Sequence, residues 1–137
     1  DYRIDNVILD GQNPCNIMAD LDWEICALGD PLMELGNSLA YCIQDDDTPG
    51  LTNLAVQPSN APGMLKRSEI LELYDSRTGV DTSNFTFYQV YGYWRLVVIL
   101  QQIYFRYFHG QTSDKRFKMF GVSVQHLGEH CEKLISP

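Results

Sequence analysis

The apolar pattern of this chain changes period once, and the change divides it into a short β part and a long helical part. Val7-Ile8-Leu9 is a compact, β-branched apolar run that predicts a buried strand. Asp10-Gly11-Gln12-Asn13-Pro14 predicts a turn, and Ile17 to Leu21 a second strand paired antiparallel to the first. Such a pairing sets the start of one strand beside the end of the other, so it brings Asn6 next to Asp22. From Asp30 onward the period is helical. Asp30 caps a helix and Pro31 suits its first position. Leu32, Leu35, Leu39 and Ile43 then form one apolar stripe to about residue 44.

Residues 45–66 hold Asp45-Asp46-Asp47, Pro49, Pro58, Pro62, Gly50 and Gly63, which predicts an exposed loop. Ser68 opens a short helix from Glu69 to about Thr78, ended by Gly79. A long helix runs from about Asn84 to His109, with Gly110 as its stop. Tyr91, Trp94, Val97, Val98, Tyr104 and Phe108 place apolar or aromatic groups on nearly every side, as in a central, buried helix. Arg95 and Arg106 on it call for structural carboxylates as partners. The last helix, about Asp114 to Ser136, is amphipathic through Phe117, Phe120, Val124, Leu127, Cys131 and Leu134, with Gly121 and Gly128 set for close approach to the long helix. The fold class is therefore α+β and mostly helical: a β-hairpin, then about four helices, in one domain spanning 1–137.

Composition narrows this. At 137 residues and 45% hydrophobic, the chain can bury one core. The four cysteines form no C-x-x-C pair and no histidine stands at ligand spacing to one, so reduced thiols are expected rather than a disulfide framework or a zinc site. No signal peptide and no apolar run of about 18 residues occurs, so the expected setting is cytoplasmic, with no membrane contact. The charge is uneven: residues 1–47 hold nine Asp and two Glu against one Arg, whereas residues 48–137 are slightly basic. Net acidity disfavours a nucleic-acid partner. Carboxylates packed this densely repel unless a cation, a metal or solvent lies among them.

Asp1-x-x-x-x-Asn6, followed by Asp22 after a strand and Glu24 two residues on, is the residue set that phosphoryl transfer to a hydroxyl requires. An Asp accepts the hydroxyl proton, and an Asn and a later Asp ligate magnesium. Arg3 either faces the transferred phosphate or pairs with Asp5 or Glu24.

The runs Asp1-Tyr2-Arg3-Ile4-Asp5-Asn6-Val7-Ile8-Leu9, Leu21-Asp22-Trp23-Glu24, Leu28-Gly29-Asp30-Pro31-Leu32, Glu34-Leu35-Gly36 and Tyr91 to Gln101 together resemble the aminoglycoside phosphotransferase and choline kinase-like family. The nearest branch includes the kinase-like domain fused to some acyl-CoA dehydrogenases. The resemblance implies the helical C-terminal lobe of a protein-kinase-like fold. It implies Asp1 as catalytic base, Asn6 and Asp22 as magnesium ligands, Glu24 as a further metal candidate, and ATP with Mg2+ as cofactors. The sequence departs from the family pattern in three ways. The His-Gly that precedes the base is not in it, Glu34 stands where relatives have Asp, and it has neither a phosphate-covering glycine loop nor its lysine.

Two functions follow as expectations. One is an ATP-dependent kinase acting on a small-molecule hydroxyl, inactive without an N-terminal lobe as partner. The other is a non-catalytic module, a kinase lobe that binds a partner or self-associates. A metal-dependent hydrolase is a third and weaker reading, because His109, His126 and His130 all lie far along the chain from the acidic cluster.

Overall fold

The computed structural model describes residues 2–136; Asp1 and Pro137 lie outside them. Strands β1 (Val7–Leu9) and β2 (Ile17–Asp20) form an antiparallel hairpin. The register pairs Val7 with Asp20 and Ile8 with Ala19, then slips at Leu9, which pairs with Ile17. Met18 is the extra residue of a bulge. Five helices follow: α1 (Pro31–Ala40), α2 (Pro49–Thr52), α3 (Arg67–Thr78), α4 (Thr86–Phe108) and α5 (Phe120–Ile135). The molecule is α+β and mostly helical, as the pattern predicts.

The hairpin is not buried. Ile8, Leu9, Ile17 and Met18 are all exposed, because no helix of the described residues lies broadly across it. α1 ends four residues early, but its stripe does not. Tyr41 and Cys42 tighten into i→i−3 hydrogen bonds, and Ile43 stays fully buried. α3 begins at Arg67, not after Ser68, because the Glu69 carboxylate reaches back to accept the Lys66 amide at 2.7 Å. The first turn of the last predicted helix is instead a 3-10 turn, Lys115–Met119, capped by Asp114.

α4 is the spine, packed by α1 on one side and α5 on the other. Tyr93, Leu96, Val97 and Leu100 of α4 meet Leu127 and Cys131 of α5 in the main core, with Ala40 and Ile43 from the end of α1. A second cluster of Leu32, Leu39 and Phe85 closes against α3. Burial all round α4, expected from its composition, does not occur. Phe87, Trp94, Val98 and Phe105, spaced seven, four and seven residues apart, are 67%, 59%, 40% and 54% exposed. They form one uncovered stripe, since two flanking helices occupy only part of a helix's circumference.

The α1–α4 crossing is a backbone contact. A Cβ on Gly92 would lie 2.0 Å from the Gly36 carbonyl oxygen, and one on Gly36 would lie 2.2 Å from that of Tyr88. Neither neighbour is a side chain that can turn away. Of the two glycines expected to admit α5, Gly121 does so, where a Cβ would meet the Tyr104 ring at 2.8 Å. Gly128 faces open space.

Segment 45–66 is exposed over most of its length, and it is pinned to the core at a few points. α2 buries Leu51 to 1% exposure, and Ser59 Oγ donates to the Ile43 carbonyl at 2.9 Å. Arg67 holds the start of the segment with a bidentate pair to Asp47 and a 2.7 Å bond to the Cys42 carbonyl. Both side chains of that pair are largely buried, so each satisfies a charge the other would otherwise leave uncompensated.

Two stability predictions follow. Gly92→Ala should lower stability by about 1–3 kcal/mol through overpacking. Gly128→Ala should be neutral or raise stability by up to about 1 kcal/mol, and urea denaturation compares the two. His130 stands edge-on to Tyr93 with ring centroids 5.0 Å apart, and its buried Nε2 has no partner. Burial pushes its pKa below the ordinary 6.5, helped by Arg67 and Lys133 and opposed by Asp47. The unfolded chain then takes up the proton at higher pH than the folded one. Stability should be complete above about pH 6.5 and fall as pH drops below it. His130→Phe should flatten that fall between about pH 7.5 and 5.5 in urea midpoints.

Candidate active site

The hairpin delivers two polar side chains to one place. Ile4–Asn6 is a single 3-10 turn closed by the Asn6 amide donating to the Arg3 carbonyl at 2.9 Å. Asn6 is 8% exposed. Its carbonyl accepts the Leu21 amide at 2.7 Å, which fastens the start of β1 to the residue just past the end of β2. The next residue, Asp22, has φ 59° and ψ 51°, and among the described residues it is the one non-glycine with positive φ. Asp tolerates that region better than most residues, and such conformations cluster where function over-determines the backbone. Trp23 follows, its ring fixed by Nε1 donating to the Asp20 carbonyl at 2.8 Å.

Asn6 and Asp22 both line a cleft of about 650 Å3. That volume suits a small-molecule ligand. The hairpin side also supplies Asp20, whose buried Oδ1 has no hydrogen-bond partner among the described residues. Met33 and Glu34 of α1 and Tyr91 and Arg95 of α4 line the cleft as well.

α1 holds the segment ahead of the hairpin. Glu34 Oε1 accepts the Tyr2 amide at 3.1 Å, and Ser38 Oγ, one turn later, donates to the Tyr2 carbonyl at 2.9 Å. Tyr2 is thus gripped on both sides by one face of one helix. Glu34, longer than the Asp of relatives, still reaches this segment. Asp30 caps α1 by accepting the Leu32 amide at 2.9 Å, and its other oxygen accepts from Tyr88 Oη of α4 at 2.8 Å. One carboxylate therefore joins the two helices where they border the cleft.

The remaining sequence candidates fall elsewhere. Arg3 pairs with Asp5 at 3.5 Å and lies 5.0 Å over the Tyr41 ring. Neither Arg3 nor Glu24 lines the cleft. Asp1 lies outside the described residues, next to the gripped Tyr2. Ser38 and Met33 are not singled out from sequence, and Tyr91 enters there only as an aromatic of the long helix and in the run that carries the family resemblance. The spacing of Ser38 four after Glu34, and of Arg95 four after Tyr91, is the signal that places each pair on one helix face. No group of three or more His, Cys, Asp or Glu side chains able to enclose a metal occurs among the described residues. The amide of Asn6 and the carboxylate of Asp22 are hard oxygen donors that leave most positions on a cation open. That set fits Mg2+, which keeps several waters and takes phosphate oxygens.

Residues 1–64 match the model of the phosphotransferase enzyme family. The resemblance read from the sequence stands, and with it the kinase-like architecture of this helical lobe. Among full-length relatives, acyl-CoA dehydrogenase family member 11 of Gallus gallus is 31% identical over 136 residues, covering 94% of this chain and 17% of that protein. Family member 10 of Mus musculus is 30% identical over 131 residues, covering 94% of this chain and 12% of the relative. Family member 11 of Homo sapiens is 28% identical over 131 residues, with 94% and 16% covered. The chain therefore spans less than a fifth of the length of these relatives. They fall in the acyl-CoA dehydrogenase-linked branch that the sequence indicated. No solved structure matches the chain. No helix among the described residues is long and apolar enough to cross a membrane.

Asp30→Ala should cost about 1–2 kcal/mol, since it removes the cap of α1 and the tie to Tyr88 together. Tyr88→Phe, which leaves the cap intact, should cost less. Urea midpoints of the two variants check the order.

Proposed function

We propose that this chain is the helical lobe of an ATP- and magnesium-dependent phosphotransferase acting on a hydroxyl of a small molecule. The observation that carries the reading is the convergence of Asn6 and Asp22 on one cleft. One precedes β1 and the other follows β2 of the hairpin, and the bond from the Leu21 amide to the Asn6 carbonyl holds those two ends together.

In this reading Asn6 and Asp22 hold magnesium, which neutralises charge on the phosphoryl group in flight. The other roles belong to the chain's own residues. Asp1 takes the proton from the acceptor hydroxyl as that oxygen bonds to the γ-phosphorus of ATP and the bond from that phosphorus to the ADP oxygen breaks, with ADP leaving. Tyr2, which follows Asp1 in the chain, is gripped by Glu34 and Ser38, and most of the acceleration in this chemistry comes from positioning. Arg3 is a positioning residue, tying this segment to Asp5 and Tyr41. Glu24, beyond the cleft lining, is the weaker metal candidate. The reading also calls for a nucleotide-holding lobe, so the isolated lobe is expected to be inactive.

A second reading, a non-catalytic lobe that binds a partner protein or a second copy, is favoured by the uncovered stripe on α4. Apolar surface of that kind marks interaction sites.

Manganese titration of the 137-residue chain separates the two readings. On the kinase reading, paramagnetic broadening in NMR spectra centres on Asn6 and Asp22, and Asp22→Asn abolishes it. Asn keeps the left-handed backbone accessible, so the variant removes charge without adding strain. Broadening unchanged in Asp22→Asn would sink the metal assignment. In the longer protein that contains this lobe, Asp1→Asn should lower kcat by about 10²–10⁴-fold.

A further inference from the structure

Arg95 stands in the cleft without the partner its surroundings should have given it. Among the described residues lining the cleft it is the one cationic side chain, beside four carboxylates: Asp20, Asp22, Asp30 and Glu34. Yet it makes no ion pair and no side-chain hydrogen bond among the described residues, against the structural carboxylate expected from sequence. The reasons lie in what the acids already do. Asp30 is spent on the Leu32 amide and Tyr88 Oη, and Glu34 on the Tyr2 amide. Asp22 belongs to the metal site. Asp20 has an oxygen to spare, buried and unpartnered, but it lies beyond ion-pair reach of Arg95.

A partly buried guanidinium left unpaired is costly, and the cost is recovered when an oxyanion fills its fork. Arg95 is also well mounted for that task. It sits on the stiff middle of α4, one turn after Tyr91, which lines the same cleft.

We propose that Arg95 selects the acceptor: it binds an anionic group, such as a carboxylate, on the same small molecule whose hydroxyl is directed at the hairpin. The proposal deepens the phosphotransferase reading and rests on it. It assigns the metal and the transferring phosphate to the hairpin wall, and the far end of the acceptor to the α4 wall. The overall acidity of the chain would otherwise favour a cationic acceptor, so Arg95 reverses the local preference.

Three alcohols of equal length test it on the full chain by NMR chemical-shift titration: 3-hydroxypropionate, 1,3-propanediol and 3-amino-1-propanol. The expected result is that 3-hydroxypropionate shifts Arg95 and Tyr91, and that the diol and the amino alcohol bind at least about tenfold more weakly. Arg95→Gln should erase that preference, and Arg95→Lys should keep part of it, with the amide spectrum confirming that each variant folds. No binding of the acid, equal binding of all three, a preference for the amine, or binding unchanged in Arg95→Gln would each overturn the proposal. A magnesium-ADP arm separates the two sources of oxyanion. If ADP shifts Arg95 and the acid does not, the residue serves the nucleotide and the proposal fails. The manganese experiment reads Asp22 independently. If it fails while the acid still selects Arg95, the phosphotransferase reading falls and an anion site remains.

Discussion

The crossing of α1 over α4 at Gly36 and Gly92 is the contact on which the rest of the molecule depends. Two backbones touch there with no side chain between them, so neither helix can move closer and neither position admits a Cβ. α1 can therefore be in one place only, and everything it holds inherits that placement: the Asp30 cap, the Tyr88 tie and the two-sided grip of Glu34 and Ser38 on Tyr2. α4 is fixed by the same contact, and with it Tyr91 and Arg95. The α1 and α4 side of the cleft is thus built on a main-chain contact. Main chain neither hops between rotamers nor compresses.

A second constraint anchors the far end of α1. Arg67 and Asp47 bring the beginnings of α3 and of segment 45–66 together, and Leu51 then closes the core beneath α5. This explains how a segment rich in Asp, Pro and Gly comes to be ordered. One ion pair and one leucine supply what its composition lacks. The same composition, read residue by residue, signals only solvent exposure. Neither Asp47 nor Arg67 carries a local sign that it has a partner 20 residues away.

What was legible in the sequence was what short-range chemistry decides. The turn after Leu9, the cap at Asp30 and the period of α5 are each settled by neighbours within a few positions. The meeting of Asn6 with Asp22 follows from the hairpin alone. The contacts that escaped are those made between elements distant in sequence. Gly36 and Gly92 are 56 positions apart, and each reads as a mere flaw in a helical pattern. The signal available was that a glycine kept inside a strong apolar helix usually marks close packing. Arg95 was read as half of a structural pair because acids abound in the sequence. Whether one of them lies within reach is a property of three-dimensional placement, which periodicity does not carry. The burial expected for α4 and the hairpin failed for a related reason. Apolar composition says that a surface prefers cover and does not say that cover is present.

The left-handed backbone at Asp22 has a consequence for the hairpin itself. A strand pair exposed on both faces has little to hold its alignment, because sliding by one residue exchanges one exposed face for another. Here such a slide would force Leu21 or Trp23 into the left-handed region. Bulky side chains enter it at a penalty of roughly 1–2 kcal/mol. It would also break the bond from the Leu21 amide to the Asn6 carbonyl. Asp22 thus works as a stop on a sliding scale. The chain proofreads its own strand alignment at the residue whose carboxylate faces the cleft, so a mispaired hairpin and a misplaced carboxylate are one and the same error.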